Sequence, residues 1–403
     1  MTTKNNIPAG YKESVVGIIP QEWEVKYLGD LLARLANGLT YDVSVIYGHP
    51  VSRIETISSG EINYSKVGYI DNVVECELYK MQKGDILYSH INSLAHVGKV
   101  AYYDGKQELY HGMNLLLMRV NDMVDSNYLY AYMLTSQAKH IAQVIAKPAV
   151  NQASISINDI RKIKLPVPPM EEQRKIAEIL GVWDEAIEKQ SRLIEKLELR
   201  KRALMQRLLT GRTHLPGFTT PWQKVSYSEI LKEVKRNMTW DDNEEYDLIS
   251  VKRRSGGLFH RDRLLGKDIK TKNLRPAKFG DFLISKMQIV HGASGLVTEE
   301  FDGMKISGSY IALVAESREK VDMNFINWYS QTPYFYHQTY VSSYGVHIEK
   351  MTFDLESFMS MNIMLPPLPE QKAIAEVLTV ANNEIATHRK KLDALRLQKR
   401  GLM

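Results

Sequence analysis

The densest set of chemically capable side chains lies in "VKRRSGGLFHRDRLLGKDIKTK", residues 251–272. It carries eight Lys and Arg against two Asp. Ammonium and guanidinium groups at this density attract anions. A local patch also says more about a partner than the mild net charge of +5 and pI of about 8.9 for the whole chain. The chemistry it offers is binding.

Catalytic sets are missing around it. There is no GxxxxGK[ST] loop and no GxGxxG after a strand, so no phosphate cradle. No Asn-Pro-Pro-aromatic or Asp-Pro-Pro-Tyr tetrapeptide occurs, as an amino-methyltransferase would be expected to use; "LPPLP" shares only its prolines. No HExxH or other metal-spaced His pair stands out among the 11 histidines. "GASG" at 292–295 lacks GxSxG spacing and reads as a loop. Asp241-Asp242 and Glu299-Glu300 read as solvated loop acids. Cys76 is the single cysteine. It excludes an internal disulfide framework and a multi-cysteine zinc site, and reads as a small apolar filler in a strand.

The elements that must position the basic patch come from the bulk and the repeat. A chain of 403 residues with 44% hydrophobic residues can build two or three domains with cores of their own, and 22 Tyr argue against wholesale disorder. No apolar run reaches the roughly 20 residues that span a bilayer. "MTTKNNIPAGYKE" lacks a secretion signal. The expected location is the cytoplasm.

"LPVPPMEEQRKIAEIL" at 165–180 returns as "LPPLPEQKAIAEVL" at 365–378. Aligning Glu172-Gln173 with Glu370-Gln371 gives an offset of 198. The match continues outward. Trp23 answers Trp222, "KGDILYSHI" answers "FGDFLISKM", Gly98 answers Gly295, and Asn127 answers Asn324. All offsets lie between 196 and 199, far too long a period for a solenoid. A module and a following helix are written twice.

Each motif opens with prolines, which end a strand and sit well ahead of a helix. The Glu-Gln that follows puts acid at the positive helix end. A coiled-coil spacing then runs through Ile176, Leu180, Trp183, Ile187, Gln190, Ile194, Leu197, Lys201, Leu204 and Leu208. The second copy reads Ile374, Leu378, Ala381, Ile385, His388, Leu392, Leu395, Lys399 and Leu402. The polar breaks coincide: Gln190 answers His388, and Lys201 answers Lys399. Matched breaks point to helices that pack on each other or on equivalent partner surfaces. Gly181 need not end the first helix, which would then run roughly 35 to 40 residues. The second copy stops at "GLM", in register with Ala203-Leu204-Met205, so its last turns are expected to be short.

Residues 1–163 and 212–363 read as mixed α/β. "VGKVAYYDG" and "IALVAES" read as strands, whereas "SNYLYAYMLTSQAKHIAQVIA" and "MNFINWYSQTPYFYHQTY" read as helical. The expected segments are a first module at 1–163, a helix at 164–211, a second module at 212–363 and a shorter helix at 364–403.

The paired proline–Glu-Gln–helix signature, "GYKESVVGIIPQEWEVKYLGDLL", the "GDILYS" and "GDFLIS" turns, and the helix ends "EKLELRKRALMQRLLTG" and "KKLDALRLQKRGLM" resemble the specificity subunit of type I restriction–modification systems. The resemblance covers the whole chain. It implies an α+β fold of two similar target recognition domains. Two long antiparallel helices would join them as a coiled-coil spacer with pseudo-two-fold symmetry. Each domain would read one half of a split, asymmetric sequence in double-stranded DNA. The chain would be non-catalytic. Two modification subunits using S-adenosylmethionine would methylate, and restriction subunits using ATP and Mg²⁺ would cleave. The short second helix departs from the family pattern.

Under that reading, phosphate contacts supply salt-dependent affinity and base contacts supply specificity. Arg pairs bidentately with guanine, and Gln or Asn with adenine. The second module offers Lys252, Arg253, Arg254, Arg261 and Arg263 around Gly256-Gly257. It adds Ser285, Lys286, Gln288 and His291 after its GD turn. The first offers Tyr88, Ser89, His90, Asn92 and His96, with Arg53 and Lys66 upstream. The outer helix faces, with Arg174, Arg192, Arg200 and Arg202, could dock modification subunits. Two other readings stay open: a coiled-coil DNA-binding regulator acting without modification subunits, and a nuclease or methyltransferase with a cryptic site.

Overall fold

The computed structural model describes residues 7–71, 76–149 and 152–403. The chain divides into two compact units, Met1–Lys189 with Leu392–Met403, and Gln190–Lys391. Each unit holds one globular module and a length of both long helices.

In the first unit, Glu24–Tyr27 pairs antiparallel with Lys164–Val167. Beside this pair stands a four-stranded antiparallel sheet in the order Leu32–Asn37, Leu116–Val120, Ile86–Tyr88, Val100–Tyr102. Leu28, Leu31, Ile86, Tyr88, Leu116, Leu129 and Ile160 fill the core between the sheet and the helices. The second unit repeats the plan. Gln223–Ser226 pairs with Asn362–Leu365, and the sheet order is Leu231–Glu233, Tyr310–Ala315, Phe282–Ser285, Ser294–Leu296. It adds a second sheet in the order Leu258–Leu265, Glu245–Val251, Lys305–Ser307, Leu274–Pro276.

The helical stretches each break in two where a residue caps a new helix. Asp125 accepts from Asn127 and Tyr128 N–H to start Ser126–Met133, and Thr135 accepts from Ala138 N–H to start Ser136–Ile145. Asp322 and Thr332 do the same for Met323–Tyr329 and Pro333–Val341. Such caps satisfy N–H groups that have no partner within the helix. Cys76 is not in a strand. It precedes the short 3₁₀ turn Glu77–Tyr79 and packs beside the Leu39, Val51, Ile70 and Tyr110 cluster. A cap geometry at Cys76 replaces the extended backbone expected there, and Val73, Val74 and Glu75 of the expected strand lie outside the described residues.

The long helices are Met170–Leu208, 39 residues, and Leu368–Leu402, 35 residues. The first runs through Gly181, where an added Cβ would meet nothing. The expected seam is the covered face. Leu180, Ile194, Leu197, Ile374, Leu378, Ile385 and Leu392 are buried, and Ile176, Trp183, Ile187 and Leu395 are half-buried. Arg174, Arg192, Arg200 and Arg202 are exposed.

In the second unit the helices run antiparallel. Gln190 Nε2 donates to His388 Nδ1 at 2.8 Å and to the His388 carbonyl at 3.0 Å. Arg200 meets Glu384, and Lys201 Nζ donates to Asn382 Oδ1 at 2.9 Å. The two polar breaks in the seam are thus filled by bonds. In the first unit Lys399 Nζ donates to Asp184 Oδ1 at 2.5 Å. This is the Lys201–Asn382 bond one repeat displaced, with both partners at equivalent positions.

The Glu-Gln motif now has a physical role. Trp23 Nε1 donates to Glu172 at 2.9 Å, and Trp222 Nε1 donates to Glu370 at 3.2 Å. Gln173 Oε1 accepts from Asp125 N–H at 2.8 Å, while its Nε2 donates to the Pro168 and Met123 carbonyls. Gln371 repeats this with Asp322 N–H, Pro366 and Lys320. Gln173, Glu370 and Gln371 are buried. Each Gln therefore fastens the proline turn, the loop before the capped helix and the base of a long helix to one another.

Two predictions follow from these buried groups. Gln371→Leu keeps the volume but strands the Asp322 N–H and two carbonyls. It should cost the second unit about 2–4 kcal/mol in urea unfolding, while exposed Lys372→Ala should change stability by less than about 0.5 kcal/mol. His111 is fully buried with Nε2 3.0 Å from the Leu115 carbonyl, and burial drives its pKa down to about 4. Its folded pKa lies below the unfolded value, so acid favours the unfolded chain. First-unit stability should be intact above about pH 6.5 and fall by on the order of 3 kcal/mol toward pH 4. That slope, read from unfolding at stepped pH, should shrink in His111→Gln.

Candidate nucleic-acid interface

The GD turns are the rigid base of each candidate surface. Asp85 is buried and takes a bidentate pair from Arg119, at 2.8 and 2.7 Å, while accepting from Gln82 N–H. Asp281 is buried and takes the same fork from Arg236, at 2.5 and 2.9 Å, while accepting from Lys278 N–H. Arg119 lies on Leu116–Val120, whereas Arg236 follows Leu231–Glu233. The carboxylate is repeated, and its partner arrives from a different segment, a strand in one module and the chain after a strand in the other. Removing one member of such a pair leaves a buried charge uncompensated.

In the second module the strand Phe282–Ser285 leads directly to Lys286, Gln288 and a short turn, Ile289–His291. Gly292 follows at φ +72°. An added Cβ there would strike the Tyr336 hydroxyl at 1.8 Å, so the close approach demands glycine. The basic stretch is a hairpin, Glu245–Val251 with Leu258–Leu265, whose turn 252–257 docks on this segment. Arg254 N–H donates to the His291 carbonyl at 2.7 Å, and Ser255 N–H donates to the Gly292 carbonyl at 2.9 Å. Arg254 and Ser255 sit at φ +58° and +53°, a left-handed conformation uncommon outside glycine. Ser255 Oγ lies 2.8 Å from the Tyr336 hydroxyl, which fixes the turn.

The structure therefore brings Lys252, Arg253, Arg254, Lys286, Gln288 and His291 together. Lys252, Arg253 and Arg254 are exposed, and the buried Oε1 of Gln288 has no protein partner. Arg253 meets Glu349 at 2.9 Å, and His291 Nε2 lies 3.2 Å from the same carboxylate. Arg261 and Arg263 do not join this group. They stand along Leu258–Leu265, with Arg263 Nε 2.9 Å from Glu245 and Arg261 Nε 3.1 Å from Asp262. Arg261 instead lines an open cleft of about 680 Å³ with Lys270, Asn273 and Ser309.

In the first module Arg53 precedes the turn Ile54–Ile57, and Lys66 ends the turn Tyr64–Lys66. Thr56 ties them, accepting from Arg53 N–H at 2.9 Å and donating to the Lys66 carbonyl at 2.7 Å. Ser89, Asn92 and His96 face residues 54–58 across a cleft of about 250 Å³. Asn92 Nδ2 donates to Ser89 Oγ at 3.2 Å, and His96 Nδ1 lies 2.8 Å from Ser93 Oγ. Asn92 is half-exposed, one repeat before Gln288.

The expectation for Tyr88 and His90 needs correction. Tyr88 belongs to the core, and burial pushes its phenol pKa up. His90 is buried and its pKa is held down by that burial. Neither ring has a surface to offer, since Tyr88 packs wholly within the core and His90 just beyond its strand is buried as well. Buried Ser89 forms the cleft floor through Asn92. Sequence reasoning missed Arg119, Arg236, Tyr336 and Glu349. The strong GD match was the only pointer toward a buried acid that needs a cation.

This base yields a prediction. Arg236→Ala should leave the buried Asp281 carboxylate without its cation and cost about 3–5 kcal/mol in denaturant unfolding of the second unit. Lys252→Ala, at an exposed turn, should leave that stability unchanged within about 0.5 kcal/mol.

Residues 20–199 and 220–397 each match the family profile described as type I restriction modification DNA specificity domain. The chain is 32% identical over 421 residues to a putative type I restriction enzyme MjaX specificity subunit of Methanocaldococcus jannaschii. That match covers 98% of this chain and 94% of the relative. It is 27% identical over 168 residues to the EcoKI specificity subunit of Escherichia coli, covering 40% of this chain and 36% of the relative. Its fold is similar to the crystal structure of the S subunit of a type I restriction-modification system from M. genitalium. The TM-score is 0.60 at 14% identity, with 100% of this chain and 96% of that one covered. With two copies of the domain matched across most of its length, the chain belongs to the type I restriction–modification specificity subunits.

Proposed function

We propose that the chain is the DNA sequence-recognition subunit of a type I restriction–modification complex, with each module reading one half of a split target. The observation that carries the reading is a repeated frame bearing unlike loops. The clamp, the caps, the sheet order and the buried GD aspartate recur, while the exposed side chains beside the GD strand differ between modules. A frame kept twice with different exposed groups suits two different half-sites. Nothing favours the coiled-coil regulator as an alternative.

In this reading residues 1–163 and 212–363 are the recognition domains, and 164–211 and 364–403 form the spacer that sets the gap. The chain itself is non-catalytic. Methylation belongs to two modification subunits using S-adenosylmethionine. Cleavage belongs to restriction subunits using ATP and Mg²⁺. The exposed arginines of the first long helix are the surface offered to those partners. Arg53, Lys66 and Asn92 are the contacts of the first module. Lys252, Arg253, Arg254, Lys286, Gln288 and His291 are those of the second, with Arg261 and Arg263 on its outer strand. The cations act on phosphates, and Asn92 acts on base edges, where a side-chain amide pairs bidentately with adenine; with its Oε1 buried, Gln288 has only its Nε2 to offer.

The test is to purify the chain with its modification subunits and map methylated bases in genomic DNA. The expected result is methyl-adenine in two unlike half-sites at one fixed gap. Methylation without a split motif, or by the chain alone, would contradict it. Arg254→Ala should then weaken binding to all duplexes alike and lower the slope of log affinity on log salt by about 1. Asn92→Ala should relax the first half-site at one base pair and leave the salt slope unchanged.

A further inference from the structure

The second module carries one exposed element that the contacts above leave without a role. Ser343–Tyr344 pairs antiparallel with Thr352–Phe353, and the turn between them turns apolar side chains to solvent. Val346 is 99% exposed, Tyr344 65% and Ile348 49%. Clustered bare apolar groups on a polar rim mark a contact surface. The turn is tightly built. Gly345 sits at φ +148°, and an added Cβ would meet Met351 Cα at 3.0 Å and the Lys350 carbonyl at 3.1 Å.

Two bonds hold this hairpin beside the basic group. Phe353 N–H donates to the Lys286 carbonyl at 2.9 Å, so the hairpin is anchored to the segment that carries Gln288 and His291. Glu349 pairs with Arg253 at 2.9 Å, and the buried Nε2 of His291 lies 3.2 Å from the same carboxylate without forming a hydrogen bond. A carboxylate held this way stands where a phosphodiester oxygen could stand, because both offer charged acceptors to an arginine.

The first module has a hairpin in the same place. Lys147–Ala149 pairs with Gln152–Ser154, and Ile155 N–H donates to the His90 carbonyl at 2.9 Å. That bond is the Phe353–Lys286 bond one repeat earlier. The sequences differ in length and in most residues, "KPAVNQAS" against "SYGVHIEKMTF", with a valine fourth in each. The anchor is retained and the finger is replaced, as two readers of unlike sequences require.

We propose that the hairpin Ser343–Phe353 is the specificity finger of the second module. It enters a groove of double-stranded DNA, Val346 packs against a base edge, and a backbone phosphate takes Arg253 from Glu349. Apolar contact distinguishes the thymine methyl group from other base edges. The charge of residues 252–254 and 286 matches a DNA surface. The inference rests on the recognition function proposed above.

The experiment uses the full chain with its modification subunits, as parent, Val346→Ser and Glu349→Gln. Both positions are exposed, so the variants keep the fold. Genomic methylation mapping of Val346→Ser should show the first half-site unchanged and the second relaxed at one base pair. On matched and singly mismatched duplexes its discrimination should fall roughly tenfold. Glu349→Gln should bind a short random-sequence duplex several-fold more tightly at low salt, with a salt slope steeper by about 1. An unchanged motif and unchanged discrimination in Val346→Ser would overturn the finger while leaving the recognition function standing. Weaker or equal random-duplex binding by Glu349→Gln would overturn the exchange of phosphate for carboxylate. A parent complex that writes no split motif would overturn the recognition function, and the finger with it.

Discussion

A buried glutamine at the base of each long helix is the interaction on which the rest depends. Proline ends the incoming strand but leaves carbonyls that a following proline cannot pair, since proline has no N–H. Gln173 and Gln371 supply that donor, and their amide oxygens hold the residue that caps the next helix. The neighbouring Glu172 and Glu370 take the indole N–H of Trp23 and Trp222 from the far end of the module. Three separated segments are thereby fixed where the module meets its helix. A spacer can set a distance only if its attachment does not swing, and this clamp is the attachment.

Beyond the clamp, the buried aspartate of each GD turn plays the corresponding part for the recognition surface. It anchors the strand from whose end the candidate contacts project. The change of its partner from Arg119 to Arg236 shows how the copies have drifted: the buried charge demands a guanidinium, and any segment able to deliver one serves. Constraint falls on the interior, and freedom is left to the turns outside it.

Much of this was legible in the sequence. The offset of 198 located the repeat, because the paired tryptophans and the Glu-Gln share one hydrogen-bonding unit and had to be retained together. The seam was legible because burial follows helical period, and Gln190–His388 and Lys201–Asn382 turned its two interruptions into bonds. Sheet order was not legible, since the strands are short and pair across long separations. The candidate surface was legible only in part. Charge density exposed residues 252–254, but alternation within "ILYSH" does not say which side faces the core, and Tyr88 and His90 lie inside. Nothing in "SYGVHIEKMTF" marked a hairpin, because its position is set by long-range contacts, the backbone bond to Lys286 and the burial of Phe353 in the core.

The central claim is that like frames carry independent readers at a distance set by the helices. It is tested most directly by a chain in which residues 212–365 are replaced by a second copy of residues 14–167, one repeat earlier. With its modification subunits, this chain should methylate a symmetric target built from two copies of the first half-site, at the gap of the parent. A target that still contains the second half-site, or a changed gap, would contradict the account.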